Sequence, residues 1–128
     1  MYIRFVINDI DEASQKRLGI FHAIRYLRDD GKLLPYEEEN MNQIMTWFSE
    51  NLKKPNRLSK STKRHSANKA ITWFKDSAIE CISKIREIVS ILESHGINVE
   101  VIKTDKPGYI VYEDDHQVAA EPFSETET

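Results

Sequence analysis

The stretch WFKDSAIECISKIREIVSILESHGINVEVIK, residues 73 to 103, decides the fold. Within it Ala78, Ile82, Ile85, Val89 and Leu92 recur at the spacing of one helix face. Ser77 and Glu80 have capping-box spacing, and His95-Gly96-Ile97 supplies a left-handed stop with Ile97 placed to meet Leu92. Ahead of this helix, Ala70 to Phe74 is a short apolar block that suits a buried strand. Behind it, residues 98 to 103 carry Val99 and Val101 on one side of a second strand. Strand, helix and strand with short connections predict a parallel pair joined by a right-handed crossover.

Working outward from this unit, residues 2 to 7 alternate, with Ile3, Phe5 and Ile7 on one face and Tyr2, Arg4 and Val6 on the other. Ile20, Phe21, Ile24 and Leu27 then mark a helix that stops at Asp29-Asp30-Gly31. Pro35 suits the first position of another helix, and Glu37, Glu38 and Glu39 favour its positive end. Its apolar face is Met41, Ile44, Met45, Phe48 and Leu52, and it stops before Lys53-Lys54-Pro55. On the other side, Lys106-Pro107-Gly108 is a turn. Residues 109 to 112 and 117 to 120 pair as a hairpin around Glu113-Asp114-Asp115-His116, a turn whose type stays open because it lacks glycine.

The resulting order is β-α-α-β-α-β-β-β, an α+β fold: a single compact domain over residues 1 to 123, with a mixed sheet containing one parallel βαβ crossover, a C-terminal hairpin and helices packed on the sheet. Residues 124 to 128 read as a frayed acidic tail. Thr-Trp-Phe occurs at 46 to 48 and at 72 to 74, but the first copy sits in a helical pattern and the second in a strand block, so no internal repeat is inferred.

The length of 128 residues suits one domain able to bury a core without metals or disulfides. Apolar content of 40% and charged content of 30% exclude a disordered chain, and no uncharged apolar run approaches the ~20 residues of a membrane span. The segment MYIRFVIND holds its charge within the apolar run, so it reads as a strand and not as a secretory signal. A lone cysteine, Cys81, forms no internal disulfide and fits a reducing compartment, with the cytoplasm as the default.

Charge is distributed unevenly. Residues 53 to 75 hold eight Lys or Arg and no Asp or Glu, although the chain as a whole is at −3, so the remainder carries ten basic and twenty-one acidic residues, a balance of −11. The loop from 53 to 69 has no periodicity and exceeds the ~12 to 15 residues beyond which structureless loops are uncommon in compact domains. Its Lys53, Lys54, Arg57, Lys60, Lys63, Arg64, His65 and Lys69, with Lys75 beyond it, form the candidate anion-binding set, and the interspersed Ser, Thr and Asn residues add neutral phosphate donors. Trp47, Trp73 and Phe74 are base-stacking candidates if exposed. The plainer readings are a solvated loop, or one paired with the second helix's glutamates, and a core role for Trp73 and Phe74.

Lys75 and Lys103 would lie near the carboxyl ends of parallel strands, beside the third helix's amino terminus, an edge suited to anions unless Asp76 and Ser77 cap that terminus themselves. A catalytic site of His65, Lys69 and Lys75 with Glu113, Asp114, Asp115 and His116 contains types used in phosphoryl transfer, but nothing in the sequence makes these residues converge. Asp114 and Asp115 are ordinary turn residues. His22, His65, His95 and His116 lack metal-ligand spacing, His95 suits a helix C-terminus, and no cofactor is implied. Cys81, one position beside the apolar stripe, reads as a packed structural thiol.

WFKDSAIE, the helix ending ESHGINVEVI and PGYIVYEDDHQVAAEPF, with MYIRFVI and HSANKAITWFK, resemble a family of small bacterial proteins of similar length. That family carries no established activity, so the resemblance transfers no catalytic or binding residue and implies only a stand-alone bacterial protein.

Three functional expectations follow. The leading one is a non-catalytic binding module for a polyanion, RNA or DNA, acting through the basic loop. The second is an adaptor that offers the acidic C-terminal hairpin, Glu113, Asp114, Asp115 and His116, and the acidic tail to a basic protein partner. The third is a small phosphoryl-transfer enzyme or nuclease around His65. The oligomeric state is not readable from the sequence.

Overall fold

The alternating N-terminal segment becomes the strand on which the sheet is assembled. In the computed structural model, which describes residues 1 to 11, 16 to 53 and 70 to 128, it forms β1 (Tyr2–Asp11). There follow β2 (Lys16–Gly19), α1 (Ile20–Asp29), α2 (Pro35–Asn51), β3 (Ile71–Lys75), α3 (Ile79–Ser94), β4 (Glu100–Thr104), β5 (Tyr109–Glu113) and β6 (Gln117–Glu121). These elements make a single compact α+β domain in which helices back a six-stranded sheet.

Every neighbouring strand pair is antiparallel. Tyr2 pairs with Lys75 on one edge and Thr104 on the other, and Ile3 with Phe74 and Lys103, so β1 lies between β3 and β4. The expected mixed sheet is therefore corrected. β3 and β4 do run in the same direction, but α3 carries the chain over an intervening strand, the split form of a βαβ unit. The physical reason lies in β1, which is buried on both faces at Phe5, Val6 and Ile7 and so belongs at the centre of a sheet.

Phe5, Ile7 and Phe74 face the helices and join Ile24, Met41, Phe48, Ile85 and Leu92 in the larger core. The other face has its own cluster of Val6, Ile71, Trp73, Ile102 and Val118. The last two residues, Glu127 and Thr128, meet β2 at Arg17. Arg17 donates its backbone N–H to the Thr128 oxygen at 3.4 Å and pairs with Glu127 at 3.1 Å.

Two helix stops follow the sequence closely. Gly31 (φ 68°) and Gly96 (φ 79°) adopt left-handed conformations, and in each case the two N–H groups after the C-cap reach back to the last turn, including Ile97 to the Leu92 carbonyl at 3.0 Å. The start of α3 differs from expectation. Its N-cap is Ala78, with no side-chain cap, because Ala78 N–H closes a turn on the Lys75 carbonyl at 3.0 Å and leaves Ser77 one residue too early. The buried stripe rotates accordingly to Cys81, Ile85, Ile88, Ile91 and Leu92. No helix among the described residues is long and apolar enough to cross a membrane.

Candidate functional site

β1 presents an edge that its neighbours share incompletely. Val6 pairs with Gly19 on one side and Glu100 on the other, which puts β2 on the edge also used by β3. β3 covers that edge at Tyr2 and Ile3, and β2 covers it from Val6 onward, so Arg4 and Phe5 are left between them. A cavity of about 360 Å³ opens there, bordered by Arg4, Phe5, Gly19 of β2 and Thr72 of β3.

Its apolar wall comes from the helix side of the sheet and the helices above it: Phe5, Phe21, Met45, Phe48, Phe74 and Ile85. Phe48 anchors this wall, edge-on to Phe21 with ring centroids 5.4 Å apart. The polar groups are Arg4, Arg25, Lys53, Ser49, Thr72 and Gln117. Arg25 and Lys53 are cations, whereas Arg4 borders the opening from a strand position whose side chain lies on the other face of the sheet, and no Asp or Glu lines the cavity among the described residues.

Arg4 leaves β1 on the face of Val6 and Ile102, away from this wall. Its guanidinium donates to the Arg17 carbonyl at 2.7 Å and to a main-chain oxygen of Thr128 at 3.2 Å. Burial, reinforced by the charge of Arg17, lowers its pKa to about 10. Arg17 is itself balanced by Glu100 and Glu127. On the helix side, Gly19, Ile20 and Phe21 bring the amino end of α1 into the wall, with no side-chain cap and no acidic residue in its first turn. An uncapped helix start adds partial positive charge to that side of the cavity.

Gln117 fixes the far wall. Only 1% exposed, it donates through Nε2 to the Lys53 carbonyl and to Asp114 Oδ2 at 3.1 Å, tying the β5–β6 turn to the end of α2.

The sequence-predicted anion set is largely beyond this geometry, since Lys54, Arg57, Lys60, Lys63, Arg64, His65 and Lys69 lie outside the described residues. Lys53 is exposed and makes no ion pair among the described residues. Lys75 is engaged, its Nζ 2.8 Å from Glu113, an ion pair that raises its pKa against the opposing effect of burial. The anticipated Lys75–Lys103 anion edge is not formed. Lys75 pairs with Tyr2 and Lys103 with its neighbour Ile3, so the two lysines project from opposite faces of the sheet.

The acidic hairpin group divides as well. Asp114 Oδ1 accepts the N–H groups of His116 at 2.8 Å and Gln117 at 3.0 Å, while Oδ2 accepts the Tyr112 hydroxyl at 2.9 Å. Burial raises its pKa, but these bonds together outweigh that effect and the net shift is downward. Asp115 and His116 are exposed. Trp73 and Phe74 are buried at 0% and 7% exposure and offer no stacking surface. Trp47 is half-buried, with Lys84 Nζ 5.8 Å from its ring centroid. No group of three or more His, Cys, Asp or Glu among the described residues is arranged to hold a metal.

Arg4, Arg25, Thr72 and Gln117 were not singled out as site residues by sequence. They are scattered over β1, α1, β3 and β6, and no local pattern joins them. No family model, no curated protein and no solved structure matches the chain.

Proposed function

We propose that this chain is a non-catalytic binding module for a polyanion, RNA or DNA, which it engages through the basic segment 53 to 69. The observation that carries this reading is the segregation of charge: eight of eighteen Lys and Arg fall in residues 53 to 75 without one carboxylate, against a balance of −11 elsewhere. Arg25 and Lys53, exposed and free of ion pairs among the described residues, extend that positive character onto the body of the fold. Lys75 is the member of the set that draws least support, since Glu113 neutralises it. The adaptor reading draws less support than the polyanion reading, because Glu113 and Asp114 are committed to internal partners. A phosphoryl-transfer reading depends on His65, which is outside the described residues.

The test is a salt titration of single-stranded RNA and duplex DNA binding by fluorescence anisotropy. Four phosphate contacts give a slope of log K on log salt of about −3 to −4, and simultaneous reversal of Arg57, Lys60, Lys63 and Arg64 to Glu weakens binding by more than about 100-fold. Binding that ignores salt, or that survives the four reversals, overturns the reading.

A further inference from the structure

We propose that the cavity between β2 and β3 is a binding site for a small uncharged aromatic molecule that carries one hydrogen-bond donor, such as an indole N–H or a phenol O–H, and that the donor meets the buried amide oxygen of Gln117. The site does not rest on the polyanion reading.

Gln117 is the feature that selects the ligand. It pairs with Phe74 across the β3–β6 ladder, so its side chain stands on the helix face of the sheet with Phe74, the face that lines the cavity. The residue is 1% exposed, and its Nε2 gives its hydrogens to the Lys53 carbonyl and to Asp114 Oδ2. Those two acceptors fix the amide, because a flipped Gln117 would set its oxygen against theirs. Its Oε1 accepts no hydrogen bond among the described residues. A buried acceptor without a donor is costly, and a ligand that brings one N–H or O–H into the cavity removes that cost.

The rest of the cavity suits an aromatic body. About 360 Å³ is at the low end of the range of small-molecule sites, and an apolar wall with few convergent polar groups is their usual composition. Phe48 stands edge-on to Phe21 at 5.4 Å and tilted to Phe74 at 6.3 Å between ring centroids, and Phe5 borders the same space, so a flat ring finds aromatic partners on several sides. Charge is disfavoured in either sign. An ammonium finds no acidic side chain among the described lining residues, and a carboxylate would face the Gln117 oxygen, another acceptor, while Arg25 and Lys53 are exposed to water. The opening itself follows from the fold: β1 ends its pairing with β3 after Ile3 and begins with β2 at Val6, and a continuous ladder along this edge would close it.

The experiment is isothermal titration and chemical-shift mapping of the full chain with indole and with 1-methylindole, which keeps the ring and lacks the donor. One indole binds per chain and shifts the amides of Phe5, Phe74 and Gln117, and 1-methylindole binds about tenfold or more weakly, the loss of one buried hydrogen bond. Gln117→Met removes the acceptor and brings the two affinities within about twofold of each other. Because that substitution also releases Lys53 and Asp114, a rim variant accompanies it. Thr72→Trp, at an exposed position of β3 on the same face as Phe74, fills the opening and abolishes indole binding with the melting temperature unchanged. The proposal is overturned by equal binding of 1-methylindole to the parent, by a preference for indole that persists in folded Gln117→Met, by undiminished binding in Thr72→Trp, or by no binding at millimolar indole.

Discussion

Glu37 Oε1 lies 2.8 Å from His95 Nε2, joining the first turn of α2 to the C-cap of α3. The same carboxylate accepts the Leu34 N–H at 2.9 Å, so one buried side chain caps its own helix and fastens a second. The Leu34 bond first, then the His95 bond, hold its pKa below the usual carboxylate value against the opposing effect of burial. A depressed folded pKa contributes stability that is present above the unfolded value and is lost as pH falls through the folded one. Glu37→Gln is therefore expected to unfold about 1–3 kcal/mol more easily in urea at pH 7. The gap should narrow as the pH is taken below the ordinary carboxylate range. A gap that is the same at pH 7 and pH 3 would show that charge contributes nothing to this junction.

Gly108 has φ 130°, and a Cβ built there would meet the Glu121 carbonyl oxygen at 1.9 Å. Backbone conformation and close approach both demand glycine at the entry to β5, where the chain passes against the end of β6. Gly108→Ala is expected to lose upwards of about 3 kcal/mol of stability, since strain and a backbone clash act together. Thermal unfolding of the variant checks this, and a melting temperature within a degree or two of the parent would contradict it.

Sequence was informative where the structure is local. Gly31, Gly96 and the hairpin around Asp114 were legible because turns and helix stops depend on local φ and on hydrogen bonds within a few residues. The strand-helix-strand order was legible for the same reason. The insertion of β1 between β3 and β4 was not, because pairing between residue 3 and residues 74 and 103 leaves no local periodicity. β2 was missed since Lys16–Gly19 offers only Leu18 as a large apolar residue and owes its form to β1 across the ladder. The cavity follows from that long-range pairing, so its lining from β1, β2, β3, β6 and the three described helices is scattered through the sequence.

Cys81 is 2% exposed on the core face of α3. Burial first, then the negative charges of Asp114 and Glu80, push its thiol pKa upward and disfavour the thiolate that reacts. Native protein is expected to react with a disulfide reagent at pH 8 on the order of 100-fold more slowly than a free cysteine peptide, with normal reactivity regained in denaturant. Rapid labelling of the folded chain would place this thiol in a more open setting than the core.

Lys75 and Glu113 form a pair whose partners are 25% and 39% exposed at the side chain. Screening by water keeps such a pair to at most about 1 kcal/mol, so Lys75→Met is expected to leave the melting temperature nearly unchanged at neutral pH. The Glu113 bond raises the lysine pKa, so the pair's contribution is intact below the ordinary lysine value and fades only as pH rises through the raised one. The same neutralisation has a functional consequence. If residues 53 to 69 carry the polyanion interaction, Lys75→Met should alter RNA affinity by less than about twofold, whereas Glu113→Gln, which frees the ammonium group while keeping the side chain's shape, should tighten it and steepen the salt dependence by up to about one phosphate contact. Anisotropy titrations of both variants beside the parent separate these outcomes. A large loss in Lys75→Met with no gain in Glu113→Gln would mean that Lys75 meets the ligand directly and leaves Glu113 when it does so.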